Sequence, residues 1–214
     1  MTKKFVKAAL IASCALVLMF ATIAGTIAYL TSTATIQNTF TSGKVAITMD
    51  EAKVNENGKA PDKTIRVTGT TGENAEAANS YKLLPGKTYD KDPIIHVEAG
   101  SEVCYLFIEV VNELKAIEKP GVTVEEQLTA NHWTKLNEDG NVWFYKDTID
   151  ARQANAAIDV TTFKTFTVNE TFTDLTSYND KKITVTAYAV QADADGFDTA
   201  AKAWAATFGA QANQ

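Results

Sequence analysis

Few residues in this chain have types and spacing that could do chemistry. His96 and His132 lie far apart, and neither has a second metal-ligating residue at zinc-site spacing. No HExxH, nucleophile elbow, Walker loop or dinucleotide fingerprint is present. Isolated histidines of this kind read as strand-surface or core residues satisfied by hydrogen bonds. The acidic run Asp193, Asp195 and Asp198 invites a calcium reading. Placed on the loop template, Asp193, Asp195 and Gly196 fall at positions 3, 5 and 6. Gln191 then stands at position 1 and Lys202 at position 12, so both key ligands fail. Acids in a turn before a helix, where the dipole favours negative charge, account for the same residues. Trp133, Trp143, Tyr145 and Tyr105 would make either a core or an aromatic platform for a glycan or peptide. The expectation is a protein without catalytic, cofactor-binding or metal-ligating residues.

The bond with the clearest chemical signature is Ala28–Tyr29. Lys3, Lys4 and Lys7 precede an apolar run from Ala8 to about Leu30, with Thr26 and Ala28 at the −3 and −1 positions of a signal-peptidase site. Two alternatives compete. The run is about as long as the roughly 20 apolar residues that cross a bilayer, so it would also serve as an uncleaved anchor. Cys14 would be the acylated residue of a lipoprotein box, but too few apolar residues precede it. Cleavage removes three lysines and no acid, taking the formal charge from −6 to −9. An acidic domain argues against nucleic acid or anionic membrane as the main partner. It would keep Cys104 alone, without an intrachain disulfide, and rely on its core.

The elements that follow read as short strands. Thr31–Thr41 is rich in β-branched residues, with Ile36 and Phe40 as its apolar points, and Lys44–Asp50 alternates as a half-buried strand. Glu51–Ser80 is polar and turn-rich, a long excursion or a short hairpin. Ile94–Ala99 and Glu102–Asn112 read as strands. The second is central, with Val103, Tyr105 and Phe107 on one face and Cys104, Leu106, Ile108 and Val110 on the other. Thr123 and Glu126 form a capping box for a short helix, and His132–Leu136 with Val142–Lys146 a hairpin. Thr161–Val168 reads as one strand with a bulge, because Phe163 and Phe166 are out of phase. Ile183–Gln191 alternates cleanly, and Asp198 is placed as the cap of a terminal helix, Thr199–Phe208, with Phe197, Ala200, Ala201, Trp204 and Phe208 on one stripe. The pattern predicts an all-β chain: an antiparallel sandwich with short helices, including a C-terminal one, behind an apolar signal helix. Its expected divisions are a signal peptide over 1–28, an extended segment with the first strand over 29–43, and a sandwich domain over 44–214.

Ala24-Gly25-Thr26-Ile27-Ala28-Tyr29-Leu30-Thr31, then Asn38-Thr39-Phe40-Thr41-Ser42-Gly43-Lys44-Val45, resemble the start of the TasA/camelysin family of exported bacterial proteins. Leu83-Leu84-Pro85-Gly86-Lys87-Thr88-Tyr89-Asp90-Lys91-Asp92 is similar to that family's L-x-P-G turn ahead of a strand. Ala189-Val190-Gln191-Ala192-Asp193 with Trp204 looks like its clostridial-type members. The resemblance implies a jelly-roll-like sandwich, cleavage before Tyr29 by a SipW-type signal peptidase, and an extracellular matrix or biofilm fibre subunit at the bacterial cell surface. Some members are labelled metallopeptidases; the absent HExxH puts that label in doubt. Physical reasoning adds that Tyr29–Phe40, with Tyr29, Leu30, Ile36 and Phe40 as its apolar points, has the composition of a donor strand for an exposed sheet edge. The expected partner is a second copy of the chain, with no nucleic acid and membrane contact only through an uncleaved signal. A secreted metallopeptidase and a monomeric surface adhesin are the alternatives.

Overall fold

A computed structural model describes residues 43–68 and 79–209. The signal segment, the cleavage bond Ala28–Tyr29 and the candidate donor residues Tyr29, Leu30, Ile36 and Phe40 lie outside the described residues. No helix among the described residues is long and apolar enough to cross a membrane.

Among the described residues the chain is all-β with two short α-helices. The strands are β1 (Ile47–Ala52), β2 (Arg66–Thr68), β3 (Thr88–Asp90), β4 (Ile94–Val97), β5 (Cys104–Asn112), β6 (Trp133–Lys135), β7 (Val142–Tyr145), β8 (Ile158–Thr161), β9 (Thr165–Thr167) and β10 (Ile183–Gln191). The helices are α1 (Val124–Ala130) and α2 (Ala200–Thr207). One four-stranded sheet runs β2-β1-β4-β8 and a second β10-β5-β7-β6; β3 and β9 form a separate ribbon. Every strand pair is antiparallel.

β5 sits between β10 and β7. Its alternation sends Cys104, Leu106, Ile108 and Val110 inward, where they meet Ile95 and Val97 of β4 and Val160 of β8 in one core. Trp133, Trp143, Phe163 and the Val124 and Leu128 face of α1 close that core. Trp133 is 1 % and Trp143 4 % exposed, so of the two alternatives these two rings take core packing and not a surface platform. Burying such large rings against a sheet contributes more than a surface site would retain. The opposite face of β5 is covered as well. Phe107 packs with Val190, Ala200 and Ala203, flanked by Tyr188, Trp204 and Phe208.

Several local expectations change. Thr161–Val168 is two strands in different sheets. β8 ends at Thr161, the chain turns inward at fully buried Phe163, and β9 begins at Thr165 to pair with β3. The phase slip between Phe163 and Phe166 marks that change of sheet, not a bulge. At the C-terminal helix, Thr199 is the N-cap, accepting from Lys202 N at 3.3 Å, while Asp198 pairs with Lys202 Nζ at 2.8 Å. The buried positions are Ala200 and Ala203, and Ala201 is exposed. The expected stripe otherwise holds: Phe197, Ala200, Trp204 and Phe208 pack in one cluster, with Ala203 in place of Ala201.

α1 follows its sequence signature. Thr123 Oγ1 accepts from Glu126 N and the Glu126 carboxylate accepts from Thr123 N at 2.8 Å, a complete capping box. Gly58 shows why its turn requires glycine. It has φ of +66°, and a Cβ there would collide with the Tyr89 ring.

Candidate functional site

β2 and β10 are the edges of their sheets on the same side of the molecule, and a groove of about 1040 Å³ opens between them. Met49 and Val67 line one wall, and Ile183 and Val185 the other. Tyr81, Tyr89, Phe166 and Tyr178 continue the lining into the small cluster under the β3–β9 ribbon.

The backbone of β10 explains what this groove could accept. Cys104 exchanges both main-chain hydrogen bonds with Ile149, at 2.9 Å each, on the side of β5 away from β10. Cys104 and Gln191 therefore face each other as a non-hydrogen-bonded pair. At the two ends Ala192 N donates to Val103 O at 2.7 Å, and Glu113 N donates to Lys182 O at 3.0 Å. Alternation then fixes the remainder. The even-numbered residues bond to β5, and Ile183, Val185, Ala187, Ala189 and Gln191 direct their N–H and C=O groups away from it. Among the described residues β10 has one strand neighbour, so this edge is open.

The side chains point the same way. Ile183, Val185, Ala187 and Ala189 pack against the main core only partly buried, as do Val45, Ile47 and Met49 from the other sheet. The seam between the sheets is thus apolar and incompletely covered at the edge whose backbone groups have no partner among the described residues.

Charged groups frame the opposite sheet. Arg66 Nε, Asp50, His96 and Asp159 form a row across β2, β1, β4 and β8. His96 Nδ1 lies 2.7 Å from Asp159 Oδ1, and Nε2 lies 3.0 Å from Asp50 Oδ1 without the alignment of a hydrogen bond. Burial works against a charged imidazole here, but the two carboxylates outweigh it and hold the His96 pKa above its ordinary value. Asp92, 6 % exposed, accepts from Ala52 N at 2.8 Å and stands 3.6 Å from Arg66 Nη1. His132 is exposed, with φ of +67°, at the turn from α1 into β6, and does not meet His96.

Asp193, Asp195 and Asp198 are exposed, and among the described residues no group of three His, Cys, Asp or Glu side chains converges on a metal position. Cys104 is fully buried, and desolvation pushes its thiol up to about 11, far from the thiolate needed for reactivity. A second cavity of about 440 Å³ is bounded by Lys115, Glu125, Lys135 and Trp143. Three of its charges are already paired, with Glu125 at 2.7 Å from Lys115 and 3.2 Å from Lys135.

Comparison with known protein families, with curated proteins and with solved structures finds no match to this chain.

Proposed function

We propose that the protein is a secreted, non-enzymatic structural subunit of an extracellular matrix or biofilm fibre, and that copies join by strand addition. The observation that carries this reading is the edge of β10, open among the described residues, where four of the five residues with outward backbone groups, Ile183, Val185, Ala187 and Ala189, also line a partly covered apolar seam. Nine residues of edge span roughly 30 Å at about 3.3 Å per residue, and Tyr29–Phe40 is long enough to run along them. Main-chain hydrogen bonds would supply affinity, and alternate apolar side chains, from among Leu30, Ile36 and Phe40, would fill the seam. The TasA/camelysin-like motifs at the junction and at Leu83–Asp92 support the same reading, with a jelly-roll-like arrangement of the two sheets. They also point to a SipW-type peptidase that cuts Ala28–Tyr29. While that bond is intact the segment is tethered to an apolar run; cleavage frees it to reach a neighbour.

Deleting Tyr29–Thr39 from the mature chain tests this directly. The expected result is a folded protein that stays monomeric at concentrations where the full mature chain forms filaments, read by light scattering and electron microscopy. Equal polymerisation of the shortened chain would rule out donor-strand assembly.

A further inference from the structure

One corner of the groove wall holds an amine and a carboxamide on the two oxygens of one carboxylate. Lys91 Nζ donates to Glu51 Oε2 at 2.9 Å, and Asn79 Nδ2 donates to Glu51 Oε1 at 3.1 Å. The amide is fixed at both ends. Nδ2 also donates to Ala52 O at 2.8 Å, and Oδ1 accepts from Val54 N at 3.0 Å. The lysine and glutamate side chains are only 13 % and 16 % exposed, and Tyr81 packs beside them with its hydroxyl donating to Asp90 O at 3.0 Å. Burial, with the Glu51 charge behind it, raises the Tyr81 pKa well above its ordinary value, so the phenol stays neutral beside the site. Glu51 is the only carboxylate within salt-bridge distance of Lys91 among the described residues.

A simple ion pair needs none of the asparagine geometry. Here a single carboxylate gathers the lysine nitrogen and the amide nitrogen, and a backbone N–H is aimed at the amide oxygen. We propose that Lys91 and Asn79 form an intramolecular isopeptide bond, with Glu51 as the catalytic acid–base residue and ammonia as the leaving group.

The step balances without oxidant or cofactor. Glu51 takes one proton from the Lys91 ammonium, and the freed Nζ lone pair attacks Asn79 Cγ. The carbonyl electron pair moves onto Oδ1, where the Val54 N–H stabilises the developing oxyanion. Glu51 returns its proton to Nδ2, the Cγ–Nδ2 bond breaks, and ammonia leaves as the carbonyl reforms. The surplus proton on Nζ passes to Glu51 and leaves with the ammonia as ammonium, so the lysine charge is replaced by a neutral amide. Side-by-side fixation supplies the effective concentration that an uncatalysed amine–amide exchange lacks. The bond would staple residue 79 to residue 91 around the segment that carries Tyr81 and Tyr89, locking one wall of the groove. It does not depend on strand addition.

Intact mass spectrometry of the secreted mature protein, with tandem analysis of its digest, tests the proposal. The expected result is a chain lighter than its sequence by one ammonia, and a branched peptide joining Lys91 to Asn79. Succinimide at Asn57-Gly58 would lose the same mass, and the branched fragment ions distinguish the two. Glu51→Gln should restore the full mass while circular dichroism remains that of the folded protein. Lys91→Arg, which keeps the charge but cannot form the amide, should do the same and serves if Glu51→Gln fails to fold. Wild-type protein at full mass with separate, unmodified peptides containing Asn79 and Lys91 would overturn the proposal, as would aspartate at position 79 by hydrolysis.

Discussion

At the scale of single residues, His96 makes the clearest use of charge. It stands between Asp159 on β8 and Asp50 on β1, so its protonated form ties three strands of one sheet together. Its folded pKa is raised above its ordinary value. The linked stability is therefore fully present below the unfolded value near 6.5 and is lost as pH rises through the folded value. His96→Gln should flatten the stability–pH profile across that window, with the wild-type advantage largest on its acid side. Urea unfolding at a series of pH values measures it; a profile unchanged by the substitution would contradict the pairing. The histidine is legible as a strand residue, satisfied at Nδ1 but not at Nε2, and its partners are not legible. Asp159 is 63 positions away, and only the register of β4 against β8 brings the two opposite each other. Glu51, Asn79 and Lys91 left even less trace, being ordinary polar residues scattered through stretches that read as surface.

At the scale of elements, local chemistry was most readable where it alone decides the structure. Thr123 and Glu126 form the expected capping box, and Thr123→Ala should cost about 1 kcal/mol by thermal or urea unfolding. A loss near zero would mean that α1 is held only by Val124 and Leu128 in the core. The long strands β5 and β10 are legible from different signals: β5 is a nearly continuous apolar run of nine residues covered on both faces, and the sequence of β10 alternates. Alternation carries no information about which sheet a strand joins, so the two strands within Thr161–Val168 read as one. Phe163 is buried at a crossing between sheets, and a side chain at such a crossing obeys neither strand's phase. At α2, Asp198 and Thr199 are both good caps by residue type; Thr199 takes the role, and Asp198 pairs with Lys202 instead.

At the scale of the whole molecule, the two sheets leave one side of their seam with backbone groups unused among the described residues and half-covered apolar side chains. Sequence periodicity identified β10 as a strand, but not as an edge, since edge position depends on the order of strands that are distant in sequence. That edge can be tested without disturbing the rest of the sheet. Ala187 directs its N–H away from β5, so Ala187→Pro removes a donor from the open edge while leaving every β10–β5 hydrogen bond in place. The decisive measurement is electron microscopy of the mature wild-type and Ala187→Pro chains at equal concentration, each first shown to be folded by circular dichroism. Strand addition at β10 predicts filaments from the wild type and none from the variant. Filaments of equal abundance from both would contradict it.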